Sequence, residues 1–245
     1  MTTTNVGMRC PECSKQRTKV VRLREMSKTP YVTYALIAIN VIAFLAERNQ
    51  FTLSGSAGGT VFNEGVLNRA TIAVGHQYWR LVTSGFLHED LLHIGFNMYL
   101  LYLLGLMLEP TVGSTKFAVV YFTSLLAGSF GVILSTSTAT LGASGAIFGL
   151  MGYAAIELRA RGHRVMETGI GTLIVFNLAL SFILPDISIG AHVGGLIGGG
   201  LAGLAMKAAD DRRAPALGYA ACLLLSAAAV AGSIALASAS GTGFA

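Results

Sequence analysis

The chain has 245 residues, of which 53% are hydrophobic and 12% charged, and its mean hydropathy is +0.63. That balance excludes an ordinary soluble domain and calls for membrane spans of about 20 apolar residues each. The pI near 9.3 reflects seventeen Lys and Arg that gather between apolar runs without forming a patch, so the charge reports topology and no nucleic-acid partner is expected.

Residues 1–28 carry seven of those charges and the pair Cys10-Pro11-Glu12-Cys13. Cys10 and Cys13 have the spacing of half a zinc knuckle, but a structural site needs four ligands and no second pair follows. No metal and no cofactor is therefore expected in one chain, although paired chains could supply four thiolates. The segment is too long and basic for a signal peptide, and no small-residue cleavage site follows the first apolar run. The first span is expected to be retained.

Seven apolar runs follow, at about 31–46, 88–108, 115–135, 144–160, 167–184, 190–206 and 216–238. They predict an all-α, polytopic membrane helix bundle. With the N-terminus in the cytosol and seven crossings, fourteen of the seventeen basic residues fall on the cytosolic side; only Arg48, Arg69 and Arg80 lie outside. Those three belong to residues 47–87, a polar, Gly-rich stretch that also holds Phe51, Phe62, Tyr78, Trp79 and Phe86. Such a mixture predicts an ordered loop in the outer leaflet, with Trp79 as an interfacial anchor.

Polar and ionisable groups inside spans are costly, so each is a functional candidate. His88, His93 and Asn97 fall on the second run, Ser144 opens the fourth, Asn177 is on the fifth and His192 is near the start of the sixth. The second, fourth and sixth runs all begin on the outer side, so Ser144, His192, His93 and Asn97 lie at similar depth. Ser144 stands in Gly142-Ala143-Ser144-Gly145, among small neighbours that leave its hydroxyl accessible. A serine hydroxyl needs a base within hydrogen-bond reach, and His192, in Ala191-His192-Val193-Gly194-Gly195, is the natural one. Glycines at 145, 149 and 152 and at 194, 195, 198 and 199 allow the two helices to pack backbone on backbone and bring the pair together. The glycines alone would read as helix packing, and the histidine alone as a satisfied buried polar group; serine and histidine at one depth favour catalysis. His93 and Asn97, four residues apart on one helix face, could bind an oxyanion. His88 points elsewhere and is expected to fix the outer loop.

Two other sites fail on spacing. In His88-Glu89 three residues, not two, separate the glutamate from His93, so a zinc-protease helix is excluded. Ala146 occupies the position where a soluble hydrolase elbow has its second glycine. Asp186, in a loop after Pro185, reads as a solvated charge rather than a third catalytic member.

From about Tyr31 to Met206 the pattern resembles the rhomboid family. The matching pieces are Trp79-Arg80, His88 with His93-Ile94-Gly95-Phe96-Asn97, Gly142-Ala143-Ser144-Gly145 and Ala191-His192-Val193-Gly194-Gly195-Leu196. The resemblance implies a rhomboid-like six-plus-one bundle and an intramembrane serine endopeptidase, with Ser144 as nucleophile and His192 as general base. His93, Asn97 and the Ser144 backbone N–H would bind the oxyanion, and Gly142, Gly145, Phe148, Trp79, Arg80 and His88 would support the site. It also implies a water-filled cavity open to the outer side, which hydrolysis within a bilayer requires. Phe148 stands where some members carry tyrosine; its ring can still pack on His192. Substrates would be transmembrane proteins whose helix unwinds near its outer end, with small residues at the cleavage point.

The expected organisation is a cytosolic segment 1–28, a catalytic membrane domain 29–207, and a linker with an appended helix at 208–245. The expected location is a bacterial plasma membrane, with the site opening on the extracytoplasmic side. The alternatives are a non-catalytic rhomboid-like protein that binds transmembrane clients, which loss of Ser144 or His192 would favour, and a transporter. Against the transporter, the polar groups cluster towards one face and no inverted repeat is evident. Substrate identity and oligomeric state are not fixed by the sequence.

Overall fold

The computed structural model describes residues 2–4, 7–9, 29–47, 59–135, 138–183 and 187–241. Cys10, Cys13 and Asp186 lie outside the described residues. Two short strands, β1 (Thr2–Thr4) and β2 (Gly7–Arg9), pair antiparallel at the N-terminus. Among the described residues the elements that follow are helices: α1 (Tyr31–Ala46), the short α2 (Thr60–Gly65), α3 (Arg69–Ala73) and α4 (Arg80–Thr83), then α5 (Leu91–Val112), α6 (Ser114–Ser135), α7 (Ser144–Ala160), α8 (Ile170–Ile183), α9 (Ile189–Asp211) and α10 (Pro215–Gly241). Helices α5, α6, α9 and α10 are long and apolar enough to cross a membrane, and α1 and α8 are shorter apolar helices. The chain is thus an all-α membrane helix bundle with α7 at its centre.

Centrality follows from composition. Every residue of α7 from Gly145 to Ala154 is buried, because glycine and alanine let neighbouring backbones approach on all sides. A Cβ on Gly195 would strike the carbonyl oxygen of Gly145, and one on Gly199 that of Gly149, so α9 rests on α7 backbone to backbone over at least a full turn. Helix α6 closes the same core through Phe117, Tyr121 and Leu125. Helix α10 lies on α6 and α9, with Ser226 Oγ donating to Thr123 Oγ1 at 3.2 Å.

The N-terminal end of α1 is closed by a device the sequence does not announce. Pro30 offers no capping side chain, and the orphan N–H groups of Val32 and Thr33 donate instead to the carboxylate of Glu109, at 2.9 and 2.8 Å. Thr33 Oγ1 and Ser114 Oγ donate to the same carboxylate at 2.7 and 2.6 Å. One buried charge therefore receives four donors and ties α1, α5 and α6 together.

Between α1 and α5, residues 59–90 fold into short helices held by polar contacts. Arg80 is buried and its Nη1 donates to the carbonyls of Asn63 and Val66, both at 2.8 Å. Thr83 Oγ1 donates to Gly65 O at 3.0 Å. Trp79 is 55% exposed and its indole N–H reaches Glu64 O at 3.3 Å, a position compatible with a headgroup anchor.

Candidate active site

The strand of chain leading into α7 is fixed before the helix begins. Leu67 and Thr140 exchange backbone hydrogen bonds of 3.0 and 2.8 Å, and Gly142 N donates to Ser84 O at 2.9 Å. Gly142 has φ +118, a backbone conformation open to glycine, and a side chain there would collide with the His93 ring. The turn sets Ser144 as the first residue of α7, where helix geometry leaves its backbone N–H without an intrahelical partner and the helix dipole favours negative charge.

His192 sits in the first turn of α9, whose start is fixed by Ser188: its side chain accepts from Ala191 N at 3.2 Å, and its carbonyl from His192 N at 3.2 Å. The close seat of α9 on α7 then brings His192 Nε2 to 2.8 Å from Ser144 Oγ. The Phe148 ring stacks on the imidazole, with centroids 4.1 Å apart and planes 20° apart, and so restrains it from one face. On the other ring nitrogen, Nδ1 lies 2.6 Å from Ser181 Oγ on α8.

Helix α5 brings the remaining groups. An ideal Cβ on Gly142 would lie 2.7 Å from His93 Nε2 and 3.8 Å from Asn97 Nδ2, so both side chains face the turn just before Ser144. Asn97 is 5% exposed, and its Nδ2 is buried with no hydrogen-bond partner. An amide donor buried without a partner is costly in a finished core and sensible where a ligand oxygen arrives. A cavity of about 20 Å³ lies on the neighbouring segments, bounded by Ser84, Gly142, Gly145, Ala146 and Ala191. That is room for one water or a very small side chain.

His88 requires a correction. The second apolar run was expected to be helical from 88, but Asp90 is extended and its carboxylate accepts from His93 N at 2.8 Å, so the capped helix starts at Leu91. His88 therefore precedes the helix. Its backbone N–H donates to the Glu47 carboxylate at 3.2 and 3.3 Å, and its fully buried ring meets the His93 ring edge on, 5.1 Å between centroids. Burial first, then the neighbouring charge of His93, pushes His88 down to about 3, so the ring is neutral at physiological pH.

Sequence reasoning missed Ser181, and only a helical wheel combined with the depth of His192 could have pointed to it. Asn177, left without a role, donates through Nδ2 to Leu173 O at 2.8 Å within its own helix. Among the described residues no group of three or more His, Cys, Asp or Glu is gathered to hold a metal ion.

The chain is also similar in sequence to known proteins. Residues 75–209 match the Rhomboid domain. The chain is 33% identical over 184 residues to Rhomboid protease GluP of Bacillus subtilis (strain 168), covering 72% of this chain and 35% of that protein. It is 34% identical over 162 residues to Putative rhomboid protease YdcA of the same organism, covering 63% and 76% of the two chains. It is also 31% identical over 149 residues to Inactive RHOMBOID-like protein 8 of Arabidopsis thaliana, covering 58% and 42%. The chain thus spans about a third of GluP's length, and the match with the Rhomboid domain takes in the helices that carry Asn97, Ser144 and His192: this chain belongs to the rhomboid family.

Proposed function

We propose that this protein is an intramembrane serine endopeptidase that hydrolyses peptide bonds in or near transmembrane segments of other membrane proteins. The observation that carries this reading is the 2.8 Å approach of His192 Nε2 to Ser144 Oγ beside the unpartnered amide of Asn97. As Ser144 Oγ attacks the scissile carbonyl, its proton passes to His192 Nε2. The carbonyl oxygen becomes an oxyanion that Asn97 Nδ2, His93 and the Ser144 N–H receive, and His192 then protonates the leaving amine. Water hydrolyses the acyl-serine with the same histidine as base. Hydrolysis consumes water and nothing else, so no cofactor enters the scheme.

A substrate helix hides its carbonyls in its own hydrogen bonds and must unwind before attack, which favours segments rich in Gly, Pro or polar residues. The small residues Gly142, Ala143 and Gly145 around Ser144, with a small cavity behind Gly142 and Gly145, fit a small side chain at the cleaved bond. In this scheme residues 29–207 are the catalytic membrane unit, 1–28 a cytosolic segment and 208–245 an appended helix. The charge distribution supports an N-terminus in the cytosol, and this reading sets the site towards the outer face of a bacterial plasma membrane.

The test is cleavage of a single-span substrate by purified protein in liposomes. Wild type should cut, while Ser144→Ala and His192→Ala should stay folded and silent. Cleavage by Ser144→Ala at the wild-type rate would remove the nucleophile assignment, and a folded wild type that cuts no substrate would favour a client-binding role.

A further inference from the structure

His192 has two ring nitrogens, and only one hydrogen-bonding state makes it a base towards Ser144. Nε2 must carry a lone pair, so Nδ1 must carry the proton. What fixes that state is the partner of Nδ1, here the Ser181 hydroxyl at 2.6 Å. A hydroxyl has one proton and two acceptor sites. The Ser181 Oγ also lies 2.8 Å from the carbonyl of Asn177, one turn earlier on α8, where a helical serine ordinarily places its proton. With that proton given to Asn177 O, the oxygen accepts from His192 Nδ1–H. Ser181 is 2% exposed, so water does not compete for the contact. The titratable side chain that acts on His192 from across the site is His93 on α5; what α7 and α8 present to it is Ser144, Phe148 and Ser181, none of them charged.

We infer that Ser181 is a positioning residue of this active site: a neutral acceptor that holds His192 in the Nδ1–H tautomer and turns its Nε2 lone pair towards Ser144. The inference rests on the proposed peptidase activity and gives α8 a part in it. During attack the Ser144 proton moves to Nε2, leaving a positive imidazolium whose Nδ1–H still donates to Ser181 Oγ. No proton reaches Ser181, and the stronger bond to the charged ring lowers the barrier. Phe148 restrains the ring by its face and Ser181 by its edge, so together they leave the imidazole one orientation.

The experiment compares wild type, Ser181→Ala, Ser181→Thr and Ser144→Ala as full-length proteins in liposomes with one single-span substrate, resolving kcat from KM and recording thermal unfolding. Ser181→Ala should lose about 10- to 100-fold in kcat with KM unchanged, the scale of losing a neutral partner that orients a metal-bound histidine and less than that of losing a buried carboxylate. Ser181→Thr keeps the hydroxyl and should recover most of the lost kcat, to within about threefold of wild type, while its methyl at a 2% exposed position is felt in the unfolding temperature. Wild-type kcat in Ser181→Ala, with Ser144→Ala silent, would overturn this proposal alone. A threonine variant as slow as the alanine one, with both unfolding at lower temperature than wild type, would also overturn it by making Ser181 a packing residue. Equal cleavage by Ser144→Ala, or none by wild type, would instead overturn the peptidase reading and this proposal with it.

Discussion

Helices α7 and α8 follow one another in the chain and solve opposite problems. From Gly145 to Ala154 helix α7 is buried throughout, pressed on α9 and α6 through glycines, whereas α8 buries only Ile170, Gly171 and Ser181 and turns Val175, Phe176, Phe182 and Ile183 outward. In lipid, apolar side chains gain little by facing another helix, so tight association depends on close backbone packing and polar contacts. Helix α7 uses the first and α8, at Ser181, the second. The dyad sits on the rigid side of this contrast: the positions of Ser144 and His192 are set by two backbones in contact, and α8 touches the site through one hydroxyl.

The contrast breaks most severely at the α7–α9 seam. Gly199→Leu would drive a side chain into the Gly149 carbonyl; we expect activity to vanish and stability to fall by about 3 kcal/mol, read by proteolysis of the substrate and by thermal unfolding in detergent. Gly200, where a Cβ would meet nothing within 4 Å, is the matched control and should tolerate alanine. Next in size is Asn97→Ala, which removes the donor proposed for the oxyanion without touching the seam. Its kcat should fall about 10²- to 10³-fold while the unfolding temperature holds. A fall in stability as large as that of Gly199→Leu would mean Asn97 serves packing instead.

Smaller effects sharpen the comparison away from the site. Glu109→Ala leaves the first N–H groups of α1 without their acceptor and should cost about 2 kcal/mol of stability, with little change in kcat measured on the folded fraction. His88 gives a pH signature. Its value in the folded chain, about 3, lies below the ordinary 6.5, so the unfolded chain binds the extra proton between them. Its contribution is therefore fully present above pH 6.5 and is lost as pH falls towards 3. Thermal unfolding should drop between pH 7 and pH 5 in wild type, and less steeply in His88→Phe. The smallest effect belongs to the outward face of α8, where Phe182→Leu should change stability by less than about 0.5 kcal/mol. A loss of several kcal/mol there would show that α8 is held as firmly as α7.

What could be read in advance follows the same division. Helices α1 and α7 have the bounds their apolar runs predict, and the glycines of α7 and α9 announce their contact because glycine at four-residue spacing has few other uses in a span. Helix α5 starts at Leu91 and not at 88, because the Asp90 cap sets the boundary and a polar triplet His88-Glu89-Asp90 reads equally well as the first turn of a span. Glu109 reads as a charge ending a span; its partner Thr33 lies 76 residues away, and no local pattern links them. Ser181 is hidden for another reason. A serine in an apolar helix usually bonds its own backbone, and Ser181 does so as well as meeting His192, so one residue type in one setting serves either outcome.

The central claim is that Ser144 is a nucleophile because His192 makes it one. The most direct measurement is to treat the purified protein with a fluorophosphonate and locate the covalent adduct by mass spectrometry, in wild type and in His192→Ala. We expect a single adduct on Ser144 in wild type and labelling slowed by at least about 10²-fold without the histidine. An adduct on another serine, or Ser144 labelled equally fast in His192→Ala, would contradict the account.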